Sequence, residues 1–378
     1  MADEKSGAGA GAAAGSVTGV AAVPAAVAGA AAAAGGTVVE GRPEPSFEWM
    51  GLTNQWGVRV KPGEHGLRLG DLNVGIYGEV PEVWDDQTRR PRGALPRPGI
   101  PPLPYNLRAK HQMWADCAAD LYEEAIQRRW IPATDVPWAT LQPLPEEVER
   151  ALCQVCTEIM QYANTEIEII TYWQDQMSYG YYEVKQYLAT ATFDCARHIE
   201  VLRKRALANG GGLGLESKGA VNRMILESRG GWTESVVYLY LLRGTFVMQL
   251  LRNLLSNAHN DAERVIWSHM IEDHARHLTY GYDHLKYAVT HQEGEASVLQ
   301  TLLTIGEAMM GAELKDGVLR SAMAIILGGG LEGGRTVGME SYLHLVGDYL
   351  RDYLALCHWL GVPRADQLNP SLSKYLEY

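Results

Sequence analysis

Apolar residues recur at steps of three and four positions through most of the chain after residue 145, the spacing that gathers them on one face of a helix. No stretch alternates apolar and polar residues as a half-buried strand would. The pattern predicts four long helices with one longer crossover between the second and the third, an arrangement typical of an all-α helical bundle. The predicted long helices lie at residues 146–177, 181–208, 233–258 and 261–290, and a short one at 220–227.

Composition divides the rest of the chain. Residues 1–45 are rich in alanine and glycine and predict a disordered tail. Residues 46–109 are rich in proline and glycine and predict an irregular arm lying on the bundle. The bundle itself is expected at 110–295, with a first helix near its start. Residues 296–378 predict a C-terminal helical extension, interrupted by a cluster of glycines.

Charge and cysteine usage narrow the class of protein. The chain has 378 residues and a net charge of −12, which gives no electrostatic reason to expect nucleic acid or an anionic membrane as a partner. The alanine-rich stretch near the N-terminus lacks the basic start of a signal peptide and the strong hydropathy of a membrane span. Five cysteines in a chain of this length do not suggest a disulfide framework, so we expect a cytoplasmic protein.

Two segments of the predicted helices nearly repeat each other. One reads Asp-Cys-Ala-Arg-His and ends at His198, and the other reads Asp-His-Ala-Arg-His and ends at His277. Because positions i and i+3 of a helix share a face, each segment can direct two side chains into the core together. Two such pairs on facing helices make a cluster large enough for a metal ion. The paired side chains are Cys195 with His198 and His274 with His277.

With these motifs the chain resembles the ferritin-like diiron oxygenases, a family that includes the bacterial multicomponent monooxygenase hydroxylases and smaller actinobacterial ferritin-like proteins. There both segments read Asp-Glu-x-Arg-His, the Glu and His bind iron, and the Asp orients the His. The resemblance covers residues 148–289 and extends to Arg243-Gly244-Thr245-Phe246, where relatives usually have Glu-Gly-Thr-Phe. It implies an all-α, ferritin-like four-helix bundle with an extended N-terminal arm and extra C-terminal helices.

Carried over residue by residue, the resemblance implies that His198 and His277 occupy ligand positions and that Asp194 and Asp273 orient them. It also implies a ligand on the first long helix, Glu166, with Glu168 as the alternative. The three other glutamate positions of the family hold Cys195, Arg243 and His274. A guanidinium keeps its positive charge at every physiological pH. Arg243 at a bridging position therefore argues against a standard diiron centre.

Three arrangements of these residues are compatible with the sequence. In the first, which we favour, no metal binds, and Arg243 pairs with Glu166 and with one of the two aspartates, because a buried guanidinium needs a partner. In the second, Cys195, His198, His274 and His277 bind one iron, zinc or copper ion. In the third, the carboxylates of Glu158, Glu168 and Glu272 rebuild a site one turn away.

The function expected from the resemblance is that of a divergent diiron-oxygenase homologue that has lost carboxylate ligands. It would serve a bacterial oxygenase system as a non-catalytic partner subunit or a metal-free member. It would then form a homodimer, or a hetero-oligomer with an intact ferritin-like homologue. The alternative is an oxidoreductase with a rearranged mononuclear Cys/His site. The run from Arg203 to Arg205 predicts a solvated helix end. Four tyrosines could face the site as radical or hydrogen-bonding groups, although we expect them to serve mainly in packing: Tyr162, Tyr172, Tyr238 and Tyr240.

Overall fold

The computed structural model describes residues 45–52 and 55–378, and the chain divides into two compact units, 1–51 and 52–378. The first unit is described only from residue 45, and a 3-10 turn (Glu48–Leu52) begins at Glu48. The expected disordered tail at 1–45 therefore lies, apart from its last residue, outside the described residues. The second unit contains all the elements discussed below.

The second unit is helical, and among the described residues pairing between extended segments is confined to isolated bridges. The predicted all-α class is thus confirmed for this part of the chain. Its helices, in chain order up to the end of the expected bundle, are α1 (Ala118–Gln127), α2 (Glu146–Gln176), α3 (Tyr182–Ala208), α4 (Ala220–Glu227), α5 (Trp232–Val236), α6 (Thr245–Ser256) and α7 (Asp261–His291). The predicted helix ends agree with these bounds to within two residues for α2, α3, α4 and α7.

Local signals explain where the long helices begin. Helix α2 follows Pro145 and has three glutamates in its first turn, where negative charge is favoured by the helix dipole. Helix α7 is capped by Asn260, whose side-chain oxygen accepts a hydrogen bond from the Glu263 backbone N–H at 2.9 Å. Helix α3 ends at Asn209, which is followed by three glycines.

The third predicted helix is not regular. Between α5 and α6, the eight residues of Val237–Gly244 form a π-helix, in which hydrogen bonds span five residues instead of four. Each π turn contains more residues than an α turn, so side chains after this segment point in directions that an ideal helix would not give them. All eight residues are buried, and the segment packs against α7.

The C-terminal part adds helices that pack onto the others. They are α8 (Glu295–Glu313), α9 (Gly317–Gly328), α10 (Leu331–Gly334), α11 (Val337–Leu360) and α12 (Pro370–Ser373). Helix α9 packs against both α2 and α11, and α11 packs against α6, so the expected C-terminal extension shares one hydrophobic core with the long helices. None of the helices in residues 45–52 and 55–378 is long and apolar enough to span a membrane.

The arm before α1 is irregular, apart from short 3-10 turns such as Leu69–Leu72. Arg92 anchors it: this buried guanidinium pairs with the Glu183 carboxylate and donates to the Gly180 carbonyl at 2.9 Å. A second buried guanidinium corrects an expectation. Arg205 is not solvated but fully buried between Glu149, at 2.6 Å, and Glu263, at 2.7 Å, where it ties α3 to α2 and α7.

Candidate metal site

The two near-repeated segments face each other on α3 and α7, and their aspartates and histidines pair across the gap. Nε2 of His198 on α3 lies 3.0 Å from Oδ2 of Asp273 on α7. Nε2 of His277 on α7 lies 3.4 Å from Oδ2 of Asp194 on α3. Each aspartate therefore orients the histidine of the opposite helix. In both histidines the other ring nitrogen, Nδ1, is directed away from the aspartate.

The arginines of the two segments complete a buried network. Arg197 of α3 forms ion pairs with Asp194 on its own helix and with Asp273 on α7, the latter at 3.1 Å. Arg276 of α7 likewise forms ion pairs with Asp273 on its own helix and with Asp194 on α3, the latter at 3.2 Å. Burial by itself would raise the pKa of the Asp273 carboxyl, but His198 and Arg197 outweigh this effect and lower it. Trp130 adds a hydrogen bond to Asp273 at 2.9 Å. The network fixes α3 against α7 at this level.

Glu166 joins the network from α2. Its Oε1 lies 2.9 Å from Nδ1 of His277 and accepts a hydrogen bond from the Tyr240 hydroxyl at 3.0 Å. Burial would raise the pKa of this carboxyl, but the charge of His277 lowers it to about 2. The pKa of His277 is conversely held well above its usual value, since attraction to Glu166 exceeds the cost of burial. The contact is close, yet Nδ1 of His277 lies outside the angular range of a hydrogen bond.

His274 is the third member of the cluster. Its Nε2 lies 2.8 Å from the Gly244 carbonyl oxygen, at the end of the π-helix, and can only donate to it. The lone pair of His274 is therefore on Nδ1. Burial lowers the pKa of His274 to about 4, so the ring is neutral at pH 7. Ligand atoms of Glu166, His274 and His277 all lie within 4.8 Å of one another, and this buried cluster could hold a metal ion.

The set brought together differs from the Cys/His set that was expected. Glu166 takes part in it, whereas His198 does not, and Nε2 of His198 lies 3.0 Å from Asp273. Cys195 is fully buried, and burial raises the pKa of its thiol, which is further raised by the nearby Glu166. It is a neutral thiol beside the cluster.

The expected pairing of Arg243 with Glu166 is wrong. The Arg243 guanidinium forms an ion pair with Glu313 of α8 at 3.2 Å, donates to the Asn222 side chain at 2.7 Å and lies over the Tyr162 ring at 4.1 Å. Arg243 is the seventh residue of the π-helix, which turns it away from the cluster and places the Gly244 carbonyl there instead. The fixed positive charge that argued against a metal is thus not in the cluster.

The shifted carboxylate site is also wrong. Glu168 and Glu272 are exposed, which equally removes Glu168 as the alternative first-helix ligand. Glu158 is buried, but it accepts a hydrogen bond at 3.1 Å from the hydroxyl of Tyr162, the ring beneath Arg243. It is therefore not a member of the cluster.

Two groups of the π-helix contact the cluster. Tyr240 was named as a possible hydrogen-bonding group but was expected to serve mainly in packing, and the Gly244 carbonyl was missed. A signal for both existed in the position of Tyr240 three residues before Arg243, on the segment aligned with a ligand-bearing helix of the family. The π turn that directs them inward has no sequence signature that we could use.

Comparisons of the chain with protein-family models, with curated proteins and with solved structures return no match. The described part of the chain is an all-helical protein with a buried Glu/His cluster of a kind that can bind metal.

Proposed function

We propose that this protein is a ferritin-like oxidoreductase that binds one metal ion through Glu166, His274 and His277. The observation that carries the proposal is the convergence of these three side chains in the core. Two histidines and one carboxylate are the ligand set typical of non-haem iron(II) oxygenases, which leave other coordination positions open. The near-repeat on α3 and α7 supports descent from a diiron protein, now with a different ligand set.

The groups around the three residues suit metal ligands. A histidine that binds metal usually donates its other N–H to a carboxylate or a backbone carbonyl, which fixes its tautomer and orientation. Nε2 of His277 faces Asp194, and Nε2 of His274 faces the Gly244 carbonyl, so that both rings keep Nδ1 for a ligand. The Tyr240 hydroxyl fixes one carboxylate oxygen of Glu166 and leaves the second free.

The charges support the same interpretation. Glu166, Asp194 and Asp273 carry three negative charges, and Arg197 and Arg276 carry two positive ones, so the network lacks one positive charge when His277 is neutral. A buried charge without a partner is costly. A divalent ion would supply the missing charge, with the excess compensated by deprotonation of a bound water.

A bound iron(II) ion would supply one-electron chemistry with dioxygen. The chain's own residues would hold it away from bulk water, because Glu166, His274 and His277 are each at least nine-tenths buried. Tyr240 would keep the carboxylate in place, and the aspartate–arginine network would keep α3 and α7 in register. All five cysteines are free, which supports a reducing cytoplasm as the compartment of this activity.

A second candidate function is a metal-free partner subunit of an intact homologue, and one specific observation favours it. Protonated His277 also supplies the missing positive charge, since its Nδ1 lies 2.9 Å from Glu166. In that state the cluster is neutral without an ion. The proton and the metal compete for the same nitrogen, so the two candidates make opposite predictions about metal uptake.

Anaerobic titration with iron(II), followed by exposure to nitric oxide, tests the proposal. We expect one iron per chain and an electron paramagnetic resonance signal of the kind that nitric oxide gives with iron(II) having open positions. His274→Ala should abolish uptake, whereas His284→Ala is the matched control. His284 is also fully buried on α7 and its pKa is likewise lowered to about 4 by burial, but it contacts Thr233 and the Trp114 carbonyl rather than the cluster.

Uptake of no iron by the folded wild type would overturn the proposal in favour of the metal-free partner subunit. Uptake that survives His274→Ala, or that is lost equally in His284→Ala, would show that the ion binds elsewhere or that buried histidines matter only for folding. Circular dichroism of each variant would confirm that the compared proteins are folded.

A further inference from the structure

A cleft of about 440 Å³ lies on the outer side of α6 and α7, where α11 forms its other wall. Its floor is apolar, formed mainly by Met248, Leu278 and Leu356, and its rim is polar. The rim carries an exposed pair, Arg252 and Asp352, 3.6 Å apart. A cleft of this volume and lining suits a small organic molecule.

The cleft and the candidate metal site approach each other at Gly244 of the π-helix. A methyl group placed on the Gly244 α-carbon would come within 2.5 Å of the Leu278 side chain and within 3.7 Å of the His274 ring. Leu278 and His274, one turn apart on α7, therefore both adjoin Gly244. The next residue along, Thr245, lines the cleft, so the cleft and the cluster share the end of the π-helix.

Hydrogen bonding beneath the cleft leaves the Tyr282 hydroxyl oxygen as an acceptor for a ligand. The Thr245 hydroxyl lies 2.8 Å from the Leu241 carbonyl, which can only accept, so Thr245 donates its single hydrogen there. The Tyr282 hydroxyl, 2.8 Å from Thr245 Oγ1, must then donate to Thr245. The lone pairs of the Tyr282 oxygen remain available at the cleft, where this residue is half-buried. A ligand that fits here donates a hydrogen bond.

We propose that this cleft binds a small, mainly apolar molecule with one hydroxyl group, such as a phenol or a short alcohol, and that Leu278 separates this ligand from His274. The hydroxyl donates to Tyr282, and the apolar part covers Met248 and Leu356. That the ligand serves the metal site rests on the proposed function, whereas its binding to the cleft does not. The experiment accordingly uses chelator-treated, metal-free protein.

The test is a titration of the full chain, with 13C-labelled leucine and methionine methyl groups, by 4-methylphenol and by 4-methylanisole. The two probes share the 4-methylphenyl ring, but in 4-methylanisole a methyl group replaces the hydroxyl hydrogen, so that it cannot donate a hydrogen bond. We expect 4-methylphenol to shift the Leu278 and Met248 methyl resonances saturably. We expect 4-methylanisole to bind about tenfold more weakly, the worth of one hydrogen bond of about 1.4 kcal/mol.

Three variants complete the experiment. Tyr282→Phe, which removes only the hydroxyl, should reduce the preference for the phenol to less than twofold. Tyr172→Phe is the matched control, a partly exposed tyrosine of α2 outside the cleft, and should keep the tenfold preference. Ala355→Trp should fill the cleft from α11 and prevent both probes from binding.

Absence of saturable shifts at Leu278 and Met248 would overturn the proposal, and so would a preference for the phenol that survives Tyr282→Phe. Because no metal is present, these results do not depend on the iron titration. Binding of the phenol by a protein that takes up no iron would contradict the proposed function and leave the cleft as a ligand site. Iron uptake by a protein that does not bind the phenol would support the proposed function and contradict the assignment of the cleft as a ligand site.

Discussion

Replacing Asp194 and Asp273 by asparagine, one at a time, separates a metal site from a purely structural network. The two aspartates have matched surroundings, since each contacts both Arg197 and Arg276 and one histidine. They differ in which histidine they orient. Asp194 faces His277, a member of the proposed ligand set, whereas Asp273 faces His198, which is not.

The structure sets the expected magnitudes. Either substitution leaves two buried guanidinium groups with one carboxylate of the original pair, so we expect each variant to lose about 3 kcal/mol of unfolding free energy. Asp273 also accepts a hydrogen bond from Trp130, so Asp273→Asn should lose at least as much unfolding free energy as Asp194→Asn. Loss of a group that orients a ligating histidine typically weakens metal binding 10–100-fold. We therefore expect Asp194→Asn to bind metal 10–100-fold more weakly. The metal affinity of Asp273→Asn should change by less than about threefold.

Competition with a chromophoric chelator for cobalt(II) under anaerobic conditions measures the metal affinity, and urea unfolding of the metal-free protein measures stability. The less destabilised variant should thus be the one that loses more affinity. If both variants lose affinity in proportion to their loss of stability, the aspartates act only on the fold, and the assignment of His277 as a ligand with His198 excluded is wrong.

Three further predictions concern residues outside the cluster. Burial raises the pKa of Glu158 to about 7, so between about pH 4.5 and 7 the folded state keeps a proton that the unfolded chain has lost. Wild-type stability should therefore fall by about 2 kcal/mol as pH rises through that window, and Glu158→Gln should remove this dependence in urea unfolding at pH 5 and pH 8. Arg205→Met should lower the free energy of unfolding by about 3–5 kcal/mol, because it leaves two glutamates buried without their partner. Lys204→Met, at the neighbouring and more exposed position, should lower it by less than about 0.5 kcal/mol. Arg243→Gln should lower the melting temperature but leave the iron stoichiometry unchanged, and a gain or loss of one iron would mean that Arg243 acts on the cluster after all.

The fold class and most helix ends could be predicted because they depend on local information. The apolar period, Pro145 and Asn260 at helix starts and the glycines after Asn209 act within a few residues of the positions they define. The Asp-x-x-x-His repeat likewise predicted which faces of α3 and α7 meet, because a helix converts spacing directly into direction. The contacts of His198 and His277 with the opposite aspartates agree with that prediction.

The composition of the cluster could not be predicted, because it depends on a departure from regular helix geometry. The resemblance to the diiron family implied that Arg243 lies in the site, but the π-helix turns it toward Glu313 and presents the Gly244 carbonyl to His274. The burial of Arg205 could not be predicted either, because it depends on residues that are distant in sequence. Its neighbours in sequence are charged, and only the arrival of Glu149 and Glu263 from α2 and α7 makes its burial favourable.

Elemental analysis of untagged protein, freshly purified after growth in metal-replete medium, tests the central claim most directly. The account predicts about one equivalent of a single divalent metal per chain, lost when Glu166, His274 or His277 is replaced and kept in His198→Ala. No metal above background in the folded wild type, or one equivalent that His198→Ala removes and His274→Ala does not, would contradict the claim that Glu166, His274 and His277 form a metal site.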